Sequence, residues 1–146
     1  MIWFKPYTLE ELSLLASSKT MAHLLDISIA DIGADYLCAR MPVNSRVYQI
    51  QGILHGGATC VLVETVGSVA SYLCLDPHKQ YAVGSLIHVN HLRPVKDGVI
   101  TATSRPVHLG RQKHVWDISV KHEASDKLIA KGELTCAVIN EVFFWT

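Results

Sequence analysis

Hydrophobic positions along this chain change their period near the middle. From Gly56 to Leu75 they run almost unbroken, too long for a typical strand of ~5–6 residues, and the run reads as one long buried helix. Beyond Pro77 the period falls to two and predicts strands over Tyr81–Val89, Val99–Val107, Val115–Val120 and Leu128–Ile139, since successive strand side chains face opposite sides of a sheet. Asp97-Gly98 and Leu109-Gly110-Arg111 supply turns between them. Upstream, Thr8 and Glu11 stand at the spacing of a capping box and start a short helix running through Ser17. Leu25–Ile32 and Tyr36–Val43 read as a strand pair around Gly33-Ala34-Asp35, and residues 44–54 as a loop. The sum is an α+β plan in which a curved antiparallel sheet of about six strands wraps one long central helix. Repeats and linkers are absent, so residues 1–146 read as a single domain.

Composition narrows the class of partner. Lys plus Arg equals Asp plus Glu at 13 each, which leaves no overall field to draw the chain onto nucleic acid or an anionic membrane. The apolar run approaches the length of a membrane span, but Glu64 sits near its middle and neither flank carries a Lys/Arg cluster, which argues for a buried helix instead. Cys38, Cys60, Cys74 and Cys136 form no C-x-x-C pair and read as reduced core thiols. The first residues, Met1-Ile2-Trp3-Phe4-Lys5-Pro6, lack the pattern of a secretory signal, so the expectation is a cytoplasmic protein. The apolar stretch 142–145 reads as packing onto the sheet or onto a subunit.

Candidate chemistry begins at His55-Gly56-Gly57, where the long helix starts. Glycines there let a ligand approach the backbone, and the first-turn N–H groups carry partial positive charge, the makings of an oxyanion hole. An ordinary Gly-Gly turn is the plain alternative. Glu64 is the only charged residue between His55 and Asp76. A carboxylate on so apolar a helix points to a hydrogen bond with a neighbouring strand, to an exposed helix edge or to a task. Cys60, Glu64, Gly67, Ser68 and Ser71 recur at helical spacing and form a small, polar stripe of the kind that lines a cleft. Eight histidines do not amount to a metal site: His88 and His91 point to opposite faces of a strand, and no H-E-x-x-H or Cys/His cluster occurs. Arg93, Arg111 and Lys113, taken alone, are solvated basic residues near turns.

The segment Gln49-Ile50-Gln51-Gly52-Ile53-Leu54-His55-Gly56-Gly57, followed by Glu64 and Ser68, resembles the hotdog-fold acyl-CoA thioesterases of the phenylacetate type. Within that group the resemblance is greatest to hydrolases of 1,4-dihydroxy-2-naphthoyl-CoA, of menaquinone synthesis, and their aryl-CoA relatives. It spans Met1-Ile2-Trp3 and Pro42-Val43 through Gly67-Ser68-Val69 and Asn90-His91-Leu92-Arg93 to His108-Leu109-Gly110. It implies hydrolysis of acyl-CoA with no cofactor. Glu64 would serve as nucleophile or general base, the Gly56 N–H would bind the thioester carbonyl, and Gln49, His55 and Ser68 would arrange thioester and water. By the same likeness Gly84, the stretch His91, Leu92, Arg93 and Pro94, and the stretch His108, Leu109, Gly110, Arg111, Gln112 and Lys113 would line the CoA site, with Arg93 on a phosphate. Gln51 and Ser85-Leu86-Ile87-His88 depart from the group's pattern and leave the acyl group open.

Gly56 and Glu64 are eight residues apart, hence ~12 Å along a helix axis at 1.5 Å per residue. One chain therefore cannot bring both to one carbonyl, and the expectation is a homo-oligomer, a dimer of dimers by resemblance, with sites between subunits. A hotdog-fold hydratase or dehydratase, and an acyl-CoA-binding protein without turnover, are the rival readings.

Overall fold

The computed structural model describes residues 1–15 and 19–140. The end expected for the first helix at Ser17 and the apolar stretch 142–145 lie outside them. Helix α1 spans Leu9–Leu14 and opens on the expected capping box, with Thr8 and Glu11 each accepting from the other's backbone N–H. A second short helix, α2 at Met21–Leu24, capped by Thr20, was not expected. It displaces the start of β1, which runs Ser28–Ile32 rather than from Leu25. Strand β2 is Leu37–Pro42, and the loop after it holds a single 3-10 turn, Ser45–Val47.

Helix α3, Gly56–Leu73, is the long apolar helix of 18 residues. Four strands follow: β3 at Tyr81–His91, β4 at Val99–Leu109, β5 at Lys113–His122 and β6 at Leu128–Ile139. They join β1 and β2 in one six-stranded antiparallel sheet ordered β1-β2-β4-β5-β6-β3. The period of two read from the sequence is visible in β5, where His114, Trp116, Ile118 and Val120 are buried and the residues between them are not.

The core lies between this sheet and α3. Leu62, Val63, Val66, Ala70 and Leu73 of the helix are fully buried against Ile100, Ile118, Leu134 and Trp116. Gly67 is buried there because a Cβ would stand 2.5 Å from Leu134 Cδ2 and 3.2 Å from Ile118 Cδ1. Ser71 is buried one turn on and accepts a 2.7 Å hydrogen bond from Trp116 Nε1, whose ring stacks on Trp3. Gly67 and Ser71 are therefore helix-to-sheet contacts, and of the polar stripe read from the sequence Cys60, Glu64 and Ser68 stay half-buried, with Ser68 lining a cavity. The four thiols are free; Cys136 is buried and the other three half-buried. Burial raises all their pKa values, Cys74 to about 12, which keeps them protonated.

Candidate active site

His55 caps α3. Its backbone N–H donates to Val47 O at 2.7 Å, and its Nδ1 accepts from Gly57 N at 2.7 Å. Ala58 and Thr59 N–H donate back to His55 O. Of the first-turn donors that a helix leaves over, this leaves the Gly56 N–H as the one without a partner among the described residues. His91 covers the same glycine: a Cβ on Gly56 would meet its Nε2 at 2.9 Å. Gln49 stands at the mouth. Its backbone N–H donates to Ile53 O, and its side chain is held by Gln51, whose backbone N–H it accepts and whose Oε1 it donates to. Gln51, a departure from the group's pattern, thus fixes the Gln49 amide. Gln49, Gly56, Leu92, Arg93 and Pro94 line one cavity of about 370 Å³ together with His91.

Glu64 lies two turns along α3 and is half-buried. Its carboxylate rests on Gly84 of β3, so closely that a Cβ at 84 would sit 2.9 Å from Glu64 Cδ. Among the described residues it has neither a hydrogen bond nor an ion pair, so of the two structural alternatives the bond to a neighbouring strand is absent there, while the helix edge stays open for a half-buried side chain. Ser68, one turn further, opens on a second cavity of about 420 Å³ whose walls include Leu12, Ile27, Ile29, Thr65 and Val69. These wall residues went unnoticed in the sequence because an apolar residue on a cavity and one in the core carry the same signal.

The residues expected to line the CoA site fall into two groups. His91, Leu92, Arg93 and Pro94 lie at the α3 N-terminus. Arg93 is exposed, with its Nη1 donating to Leu128 O at 2.7 Å and no ion pair to a carboxylate among the described residues. Gly84 and the stretch His108 to Lys113 lie at the other end of the sheet: Gly84 pairs with Cys136, Cys136 with His114, and His114 with Leu109. His108 and Leu109 close β4 rather than forming the turn, Gly110 N–H donates to Lys113 O, and Arg111 and Gln112 lie exposed between the strands. From His91 to Gly84 is ~23 Å along a strand rising ~3.3 Å per residue. One chain holds the two groups apart, just as it separates Gly56 from Glu64. His114 itself is buried with Nδ1 unpartnered among the described residues, and burial, then His108, pushes its pKa down.

Among the described residues no group of three or more His, Cys, Asp or Glu is placed to hold a metal ion. Among the same residues no helix is long and apolar enough to cross a membrane.

Comparisons with known proteins give this arrangement a family. The thioesterase superfamily model matches residues 51–129, a span running from Gln51 through Gly56, Glu64, Gly84 and Arg93. A thioesterase of Haemophilus influenzae superposes with a TM-score of 0.90 at 44% identity, covering 96% of each chain. A mutant thioesterase of Pseudomonas aeruginosa superposes at 0.92 with 40% identity, over 97% of this chain and all of that one. The 1,4-dihydroxy-2-naphthoyl-CoA hydrolase of Escherichia coli is 42% identical over 95% of this chain and 100% of its own length. With the sheet, the central helix and the likeness along nearly the whole sequence in agreement, the chain belongs to the thioesterase superfamily and is a hotdog-fold enzyme that hydrolyses thioesters.

Proposed function

We propose that the substrate is an acyl-CoA, with an aryl acyl group foremost, and that Glu64 of one subunit and the Gly56 N–H of another act on the same thioester carbonyl. One observation carries this reading: among the described residues, an N–H at a helix start and a carboxylate are both unpartnered, and one chain holds them too far apart to meet. Strand β3 supplies a way to join them. It is an edge strand with Val83, Leu86 and Ile87 exposed, and such an edge invites pairing with another chain. Antiparallel pairing of two β3 strands about a two-fold axis midway between Gly84 and His91 brings Gly84 of one chain opposite His91 of the other. Glu64 then faces the Gly56 N–H, and the His108–Lys113 stretch joins the His91–Pro94 stretch as one CoA site.

Attack on the thioester carbonyl converts it to an oxyanion. A preorganised N–H such as that of Gly56 stabilises this charge by ~3–4 kcal/mol. His55 holds the helix start and Gln49, oriented by Gln51, stands beside it to position the thioester. Glu64 acts by either of two routes. As a nucleophile it forms a mixed anhydride and releases CoA thiolate, after which water cleaves the anhydride. As a general base it takes the proton of a water, positioned by Ser68, that attacks directly. The apolar cavity beside Ser68 suits an aromatic or other hydrophobic acyl group, 1,4-dihydroxy-2-naphthoyl among them. The same reading places the reaction in menaquinone synthesis, in a single-domain protein of the cytoplasm.

The test is Glu64→Gln, which keeps shape and removes both base and nucleophile. Thiol release from an aryl-CoA is expected to fall ~10²–10⁴-fold or more, with thermal melting and acyl-CoA binding nearly unchanged. Retention of more than about a tenth of wild-type kcat would overturn the assignment.

A further inference from the structure

We infer that Gly84 is the positioning residue for Glu64: a β-bulge places a residue without a Cβ where the carboxylate must rest. The inference builds on the reading of Glu64 as the reacting carboxylate and adds a second residue to that site.

Strand β3 pairs with β6 in two registers. Gly84 lies opposite Cys136, then the register shifts, and Leu86 and Ile87 lie opposite Thr135 and Leu134. Ser85 is the additional residue, its hydroxyl turned to donate to Thr135 O at 3.2 Å. Leu134 and Cys136 both face α3 and are fully buried, so their partners on β3 face α3 as well. In a regular strand keeping Ile87 opposite Leu134, the residue opposite Cys136 would be Ser85. The bulge substitutes Gly84 at that place.

Space, rather than backbone conformation, requires the glycine. Gly84 is not among the glycines with positive φ, which are Gly52 and Gly98, so alanine fits its backbone. Alanine does not fit its surroundings: a Cβ would fall inside contact with Glu64 Oε1, 2.9 Å from Cδ and 3.3 Å from Oε2. Glu64 has no hydrogen bond to hold it among the described residues. The flat surface of Gly84, with the buried Cys136 thiol next in the row, is what it rests on. A methyl group there pushes the carboxylate aside by ~1 Å or more, a displacement that costs on the order of 10²-fold in rate when geometry is critical.

The experiment is a double-mutant cycle between Gly84→Ala and Glu64→Asp, read by steady-state thiol release from an aryl-CoA and by thermal melting. Gly84→Ala alone is expected to lower kcat ~10²-fold with KM within about threefold of wild type. Aspartate, shorter by one methylene, already withdraws from the seat, so Glu64→Asp made in the Gly84→Ala background is expected to cause little further loss. Additive losses, or a Gly84→Ala effect carried by KM as for a backbone contact to CoA, would overturn the inference. Should Gly84→Ala fold poorly, Glu64→Ala in the same chain is expected to restore melting by removing the clash; no restoration overturns the inference equally. An inactive Glu64→Gln beside a Gly84→Ala with wild-type kcat refutes the Gly84 role alone, whereas a fully active Glu64→Gln refutes the proposed function itself.

Discussion

Subunits with complementary lesions give the shared site its sharpest test. Within one chain α3 rises ~12 Å from Gly56 to Glu64, and the side-chain lean toward the helix N-terminus recovers only part of that. The ~23 Å between His91 and Gly84 along β3 separates the strand residues beside the two groups as well. Take Glu64→Gln in one tagged chain and Gly56→Val in another, the second blocking approach to the N–H at the helix start. Each homo-oligomer is expected to be nearly inactive. In a random one-to-one mixture, refolded together, about half of the dimers contain one chain of each kind. In each of these a two-fold arrangement builds one site with both lesions and one with neither. Activity should therefore recover to about a quarter of wild type, and purification by both tags should raise it to about a half. The assay is thiol release per mole of chain, with sedimentation at the same concentration to establish that mixed dimers exist. Mixed dimers no more active than their parents would refute the shared site, as would a fully active monomer.

Two further outcomes follow from single residues. Arg93→Ala is expected to raise KM for acyl-CoA more than it lowers kcat, because a phosphate contact remote from the reacting carbon holds substrate and transition state alike; added salt should imitate it, and an unchanged KM with slower turnover would misplace the nucleotide. His114 is buried neutral, with its pKa pushed below the ordinary histidine value of 6.5 by burial and then by His108. The unfolded chain therefore binds this proton more readily than the folded one, and stability is lost as pH falls from about 6.5 toward the folded pKa, with a slope of up to ~1.4 kcal/mol per pH unit from this group. Melting followed from pH 7.5 to 5 should show the loss, and His114→Leu should flatten it; an unchanged slope in that variant would assign the effect elsewhere.

The long helix and the later strands were legible because their burial is one-dimensional. An unbroken apolar run and an alternating one leave opposite signatures, and α3 and β5 keep theirs with few exceptions. The β1 start was misread because Leu25 and Ile27 alternate with polar neighbours whether or not they pair. They instead close the turn after α2, with Ile27 N–H donating to Ala22 O. A four-residue helix carries too few periodic positions to announce itself. The bulges were illegible for a related reason. One additional residue shifts a two-residue pattern by one, and on an edge strand such as β3, where few side chains are buried, no apolar alternation records the shift.

The site was legible in its residue types and hidden in its connections. Glu64 stood out because a carboxylate in an apolar helix is expensive without a reason, and that argument needs no neighbours. What fixes Glu64 does need them. Gly84 looks like any strand glycine until its place opposite Cys136 is known, and Ser85 looks like the exposed position it becomes only because it is the bulged residue. Gly67 and Ser71 show the converse. Their small size on the helical stripe suggested a cleft, but it serves close approach to Leu134, Ile118 and Trp116. Small residues on a helix report that something comes near, and the sequence alone does not say whether it is a substrate or a strand. The Gly56 N–H and Glu64 carboxylate sharpen that ambiguity: among the described residues, packing inside one chain leaves both without a partner, and the pairing proposed across the β3 edge is the arrangement in which each would meet the other.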